Sequence, residues 1–345
     1  MPEITVLMGV HNGEQFLAQT LASVAAQTFE DYEFVIVDDA SGDSTPQILE
    51  CAAADDPRIR VLTNEGNIGL TRSLNRGLGE ARGEFVARID ADDVCMSERL
   101  EKQLSYMRKN PACVGVTSGY IMIDAMGREL GRTVDPLDDW QIRWLLGWNP
   151  PAPHPTYFFK RCPDGKTPIF YDERFRTAQD FDLWGRLAAL GPTHRLSDPL
   201  VKYRRHDGAI THSKRYEQAQ NCAEIGHRNL SVRLPQEVVE KLNPLIEMFA
   251  YNTKANGETV KAAAAGVNAM LAHDLPNARL HGRWVMRMTA GLLADAILSR
   301  GGGLSSPKAV SAFLWHARWL LLPLAGAVLS DPGTAFKSLK NRKRA

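Results

Sequence analysis

The 345-residue chain has almost no net charge, with 41 Lys and Arg against 40 Asp and Glu, for a balance of +1. No global field therefore favours nucleic acid, and basic residues matter only by position; the tail KNRKRA is the locally basic stretch. The five cysteines, Cys51, Cys95, Cys113, Cys162 and Cys222, make no CxxC pair and no zinc-ligand spacing, so they read as reduced and mostly buried thiols. The opening MPEITVLMGV lacks the basic start and small-residue cleavage site of a secretory signal, which sets a cytoplasmic expectation. A hydrocarbon core needs roughly 20 predominantly apolar residues. Phe313 to Leu329 is broken by His316, Arg318 and Pro323 and suits core packing or contact with a membrane surface instead. After the first strand-like run GVHNGEQ stands in place of GxGxxG, which disfavours a nicotinamide-dependent oxidoreductase.

What is present is an alternation. Ile4 to Val10 is an apolar, β-branched run that stops at HNG, and Phe16 to Ala26 carries apolar residues at helical spacing. Tyr32 to Asp38 reads as a second strand, ASGDSTP as a capping turn, and Gln47 to Ala54 as a helix with Pro46 near its first turn. The strand Arg58 to Leu62, the helix Leu70 to Ala81 and the strand Glu84 to Asp90 continue the pattern. Such a chain predicts an α/β fold with a mainly parallel sheet flanked by helices. Ligands of these sheets lie beyond the carboxyl ends of strands, where Asp38, Asp39, Asp90, Asp92 and Asp93 fall.

Past about residue 110 the alternation loosens, and NPPAPHP reads as loop. Trp140, Trp144 and Trp148 recur at helical spacing, which fits a packed helix or a platform for stacking a sugar. The expected division is a first domain over 1–214 and a helical C-terminal region over 215–345, able to lie on a membrane surface.

Asp90-Ala91-Asp92-Asp93 closes an apolar strand, where neighbouring carboxylates would be costly to bury and would be driven to take up protons. A divalent cation resolves the conflict. Hard oxygen ligands suit Mn2+ or Mg2+, ions whose remaining positions go to water and substrate phosphates. Taken alone, the tetrad fits a solvated turn or a helix cap equally well.

The ordered segments MGVHNGEQFLAQTLASVAAQTFEDYEFVIVDDASGDST, NIGLTRSLNRGL, ARGEFVARIDADD and AQDFDLWGRL closely resemble glycosyltransferase family 2 over roughly residues 3 to 207. The resemblance implies the nucleotide-diphospho-sugar transferase (GT-A) fold. It further implies inverting, metal-dependent transfer of a sugar from a nucleotide-diphosphate donor to the hydroxyl of a saccharide or lipid-linked saccharide, in bacterial surface polysaccharide or glycan synthesis. On this basis Val10 and Asn12 border the nucleotide pocket, Asp39 contacts the base, Arg72 lies near the base or phosphates, and Asp90 lies near the ribose or metal. Asp92 is a metal ligand, and Asp180 is the catalytic base. Gln179 stands where the family usually has Glu.

Lys202 to His206 resembles the family's YRxH segment, which makes His206 a candidate for the metal or the diphosphate. Each assignment has a plainer counterpart. Asn12, Asp38 and Asp39 suit turn capping, Arg72 suits an exposed helix face, and Asp93 suits orienting a neighbour or capping a turn. Asp180 and Asp182 suit a positive helix N-terminus, and His206 suits a solvated loop. His154 is a minor candidate for an acceptor or phosphate contact. A sugar-nucleotide-binding scaffold without turnover is the alternative function.

Overall fold

The computed structural model describes residues 1–206 and 215–250, with scattered positions between 265 and 284. The chain divides into two compact units, Met1–Arg215 and Tyr216–Ala345.

In the first unit the order begins β1 (Ile4–Val10), α1 (Leu17–Ala25), β2 (Tyr32–Asp38), α2 (Thr45–Asp55), β3 (Ile59–Thr63), α3 (Leu70–Glu80) and β4 (Phe85–Arg88). It continues with β5 (Val94–Cys95), α4 (Arg99–Lys109), β6 (Gly115–Ile123), β7 (Glu129–Thr133) and α5 (Asp139–Leu145). A short 3-10 turn (His154–Thr156), β8 (Phe158–Lys160), α6 (Gln179–Leu190) and β9 (Thr193–Arg204) complete it. The strands form one sheet in the order β3-β2-β1-β4-β8-β6-β9-β5, with β7 attached to β6.

Every residue of β1 and β2 is buried, the expected consequence of packing on both faces. Ile4, Val6 and Met8 pack with Leu17, Leu21, Val24 and Leu49 from the first two helices. On the opposite face α3 presents Leu74, Gly77 and Leu78, a helical stripe. A Cβ at Gly77 would run into Leu7 and Val37, so the missing side chain lets α3 lie close to the sheet.

Strands β1 to β4 pair in parallel, as the alternation implies. Beyond them the sheet is mixed: β8 enters antiparallel between β4 and β6, and β9 runs parallel to β6. The ends of β1, β2 and β4 therefore share an edge, and the end of β9 reaches it from the other side, with the Arg204 N–H donating to Asp93.

Three expectations are corrected. Among the cysteines only Cys95 and Cys113 are buried, while Cys51 is exposed and Cys162 and Cys222 are intermediate; all five are free. Trp144 and Trp148 are core side chains in edge-on contact at 5.3 Å and offer no sugar platform, and Trp148 lies beyond the end of α5. His206 lies just past the end of β9 beside the exposed Arg205, but its side chain is 19% exposed and pairs with Asp92, so it is not a freely solvated group.

The second unit contains α7 (Arg215–Ser231) and α8 (Gln236–Ala250). Ile225 and Leu230 of α7 and Val239 and Leu242 of α8 are buried. Among the described residues no helix is long and apolar enough to cross a membrane, and Phe313 to Leu329 lies outside them.

Candidate active site

At the edge shared by β1 and β2, two loops are laced together. The Asp39 N–H donates to the Val10 carbonyl at 2.8 Å, the Asn12 N–H to Ser41 Oγ at 2.9 Å, and the Gly42 N–H to Asn12 Oδ1 at 2.8 Å. Asn12 and Ala40 take left-handed φ values of 53° and 57°, a conformation that side-chain-bearing residues keep only where surroundings impose it. Asp38 accepts the Ser41 N–H and hydroxyl and closes the turn.

Asp39 is buried, and its carboxylate accepts Asn64 Nδ2 at 2.7 Å, the Ile68 N–H at 2.8 Å and the Gly69 N–H at 2.8 Å. Burial alone would raise its pKa, yet these donors together hold it below the usual carboxylate range. An ionised Asp39 thus ties the end of β2 to the entry of α3. Arg72 is not brought to the acids: it is exposed and pairs with Glu173 at 3.1 Å.

The turn after β4 gathers the acids. Arg88, fully buried, forms an ion pair with Asp90. Arg99 of α4 is also fully buried, and its Nη2 donates to the Arg88 carbonyl at 2.7 Å. The Thr20 hydroxyl lies 2.9 Å from the Ala91 carbonyl and 2.8 Å from that of Asp93.

Arg204 closes the cluster from β9. Its N–H donates to Asp93 Oδ1 and its Nε to the Asp92 carbonyl, both at 2.7 Å. Its Nη1 reaches the Asp124 and Ala125 carbonyls at 3.2 Å, its Nη2 meets Gln19 Oε1 at 2.6 Å, and the guanidinium lies 4.5 Å from the Phe16 ring centre. Replacing Arg204 with Met keeps the stem and the N–H bond to Asp93 but orphans the acceptors of the guanidinium. The urea unfolding midpoint should fall by the equivalent of about 3 kcal/mol, read by circular dichroism; an unchanged midpoint would contradict this role.

Burial raises the pKa of Asp90, with Arg88 opposing and Asp92 adding to the shift. Burial, then the charges of Asp92 and Asp90, drives that of Asp93 well above the usual range. The turn is therefore short of positive charge. His206 Nε2 sits 2.8 Å from Asp92 Oδ2, and both side chains are partly exposed.

Among the described residues no three His, Cys, Asp or Glu side chains converge on one ion-sized point. A magnesium-type ion in a nucleotide site needs only one or two protein ligands, with phosphates and water supplying the rest. The charge deficit and the adjoining oxygen and nitrogen of Asp92 and His206 fit that requirement; one Asp90 oxygen is already held by Arg88.

Asp180 arrives from the other side. Ala178, at φ 59°, turns the chain into α6, and Asp180 is the second residue of that helix. Burial pushes its pKa up to about 6; the N–H groups of Phe181 and Asp180 oppose the rise, and the charge of Asp90 adds to it. The Tyr203 phenol, raised chiefly by burial, also feels Asp90, Asp93, Asp92 and Asp180. Asp182 is fully buried and pairs with Arg186 at 2.8 Å, a structural role distinct from that of Asp180. His154 is buried against the Tyr171 hydroxyl.

With Asp180 as the base the sequence resemblance implies, working deprotonated, kcat/KM should fall with unit slope below pH about 6, where an ordinary carboxylate would hold activity to about pH 4. Initial rates from pH 4.5 to 8 measure this; a limb near 4 would contradict the raised value.

Of the assigned residues, Val10, Asn12 and Asp39 lie at one strand edge, Asp90, Asp92 and His206 form the neighbouring cluster, and Asp180 is in electrostatic reach of Asp90. Arg88, Arg99 and Arg204 were not singled out from the sequence, although Arg88 and Asp90 stand at the strand spacing that places two side chains on one face.

A sheet with acids gathered beyond its carboxyl edge is the architecture of a nucleotide-diphospho-sugar transferase of the GT-A type. Residues 5–168 match the family model "Glycosyl transferase family 2". The chain is 31% identical over 203 residues to the amylovoran biosynthesis glycosyltransferase AmsE of Erwinia amylovora, covering 58% of this chain and 75% of that one. Over 108 residues it is 36% identical to the UDP-Glc:alpha-D-GlcNAc-diphosphoundecaprenol beta-1,3-glucosyltransferase WfgD of Escherichia coli, covering 31% and 42%. The mannosyltransferase PcManGT from Pyrobaculum calidifontis, solved with GDP-Man and Mn2+, shares the fold with a TM-score of 0.52 at 20% identity, over 96% of this chain and 88% of that one. The chain belongs to glycosyltransferase family 2.

Proposed function

We propose that this glycosyltransferase moves a sugar, with inversion, from a nucleotide-diphosphate donor to a hydroxyl of a lipid-linked saccharide during assembly of a bacterial surface polysaccharide. The observation that carries the reading is Asp180, partly buried at the start of α6 and in electrostatic reach of Asp90 from a different element, with its pKa pushed up to about 6. A carboxylate with that proton affinity suits removal of the acceptor hydroxyl proton near neutral pH, as the oxygen attacks the anomeric carbon.

Asp92 and His206, beside Asp90, would hold Mn2+ or Mg2+, which when bound offsets charge on the departing diphosphate. Asn12 and Asp39 order the loops that border the nucleoside pocket, and the paired Arg88 and Asp90 fix the floor beneath it. Attack by the acceptor itself, without a covalent intermediate on the protein, inverts the anomeric centre. The names of AmsE and WfgD support polysaccharide assembly and a lipid-diphosphate acceptor, and PcManGT with GDP-Man and Mn2+ supports a nucleotide-sugar donor and a divalent ion. In this reading residues 1–214 form the catalytic domain, and 215–345 a helical region in contact with the membrane surface at its cytoplasmic face.

The test is the anomeric configuration of the product. With Mn2+, GlcNAc-diphosphoundecaprenol and an α-linked donor drawn from UDP-glucose, UDP-N-acetylglucosamine and GDP-mannose, proton NMR should show a β linkage. An α linkage would sink the inverting mechanism, and donor binding without turnover would favour the scaffold alternative.

A further inference from the structure

The segment 161–178 between β8 and α6, which delivers Asp180, contains no helix or strand. Its placement therefore depends on side-chain clamps. Asn75 of α3 accepts the Tyr171 N–H at 2.8 Å and donates to the Tyr171 carbonyl at 3.0 Å, and the Thr71 hydroxyl donates to the Phe175 carbonyl at 2.9 Å. Tyr171 is the fixed point. Its side chain is buried, and its hydroxyl lies 2.7 Å from Nε2 of the buried His154, across the β8 strand in sequence.

From that bond contacts run to the helix of the base. The His154 ring meets Tyr171 at 5.5 Å and Tyr157 at 5.3 Å between ring centres. Tyr157, fully buried, meets Trp184 at 4.4 Å. Trp184 stands one turn after Asp180 on α6. We infer that His154 and Tyr171 are positioning residues for Asp180, holding the base-bearing segment in place through this hydrogen bond and a run of edge-on and tilted ring contacts. The inference rests on the reading of Asp180 as the base.

The strut keeps one form across the working pH range. Burial, assisted by the charge of Arg88, holds the imidazole neutral well below its usual range, and burial holds the Tyr171 phenol protonated. Which of the two donates follows the imidazole tautomer, and either way the bond joins the phenol oxygen to Nε2. Around Asp180 the charged and titratable groups are Asp90 and Arg88 from the end of β4, Tyr157 after the 3-10 turn, Tyr171 on the loop and Tyr203 on β9. Arg186 of α6 is also charged and bonds the loop through the Phe170 carbonyl, at 2.7 Å from its Nη2; the 171–154 bond is the one that ties the Tyr171 side chain to His154.

Tyr171→Phe removes the hydroxyl and keeps the ring. In the full-length protein with Mn2+, kcat for transfer to GlcNAc-diphosphoundecaprenol should fall roughly tenfold to a hundredfold, the scale expected when a reacting group drifts by an ångström. The Kd for the donor, measured calorimetrically with the most tightly bound of UDP-glucose, UDP-N-acetylglucosamine and GDP-mannose, should stay within about twofold, because the donor loops sit on other strands. His154→Gln, which retains an acceptor, should keep more kcat than His154→Leu, and the acid limb should move down from about 6 as Asp180 relaxes toward water.

Wild-type kcat in Tyr171→Phe would overturn the inference, as would kcat and donor affinity falling together or His154→Gln and His154→Leu behaving alike. The catalytic reading is judged separately. Full transfer in Asp180→Asn overturns both, whereas an inactive Asp180→Asn beside a fully active Tyr171→Phe overturns only the positioning role.

Discussion

Asp180→Asn should bind the nucleotide-sugar donor as the parent does and lose transfer by about a hundredfold to ten-thousandfold, the contribution typical of a positioned general base. The substitution is nearly isosteric, and the N–H groups of Asp180 itself and of Phe181 bond the carboxyl. Structural loss should therefore be small. Removing a partly buried carboxyl that feels the charge of Asp90 also relieves a like-charge repulsion, so thermal stability should be kept or raised. Donor affinity by calorimetry and turnover by nucleotide release separate the two effects. Full turnover, or a parallel loss of donor binding, would refute the assignment of Asp180 as base.

Asp92→Asn should act at the other end of the reaction. Asp92 is partly exposed and adjoins His206 at 2.8 Å, so its substitution removes one of the two adjoining donors proposed to hold the ion. Donor affinity in the presence of Mn2+ should fall by at least about tenfold, with little change when the metal is chelated. His206→Ala should produce the same metal-specific loss, and the double variant should lose less than the two single effects combined, because the residues act as a unit. Unchanged Mn2+-dependent affinity in Asp92→Asn would exclude it as a ligand.

The first half of the sheet was legible because its signal is local. The runs over Ile4–Val10 and Tyr32–Asp38 are apolar at nearly every position, as strands covered on both faces must be, and the acids that follow them stand out. The second half was not, because β8 is three residues long and its place between β4 and β6 is set by pairing partners far away in sequence.

The acids of the site were legible and their counter-charges were not. An arginine in the sequence suggests solvent, and nothing local shows that Arg88 and Arg99 are fully buried or that Arg204 spans two turns. His154 and Tyr171 illustrate the same limit. Seventeen positions apart, on either side of β8, they meet where Asn75, Thr71 and Arg186 hold the later loop against the helices. Cysteine burial failed for a related cause, since Cys51 lies on the solvent side of its helix while Cys95 and Cys113 lie in the core.

The central claim is metal-dependent binding of a nucleotide-diphosphate sugar at the acidic turn. Its most direct test is calorimetric titration of the full-length protein with UDP-glucose, UDP-N-acetylglucosamine and GDP-mannose, each with Mn2+ and again with the metal chelated. The account predicts saturable binding of one donor that needs Mn2+ and is lost in Asp92→Asn. Equal binding with and without metal, or no binding across the panel, would contradict it.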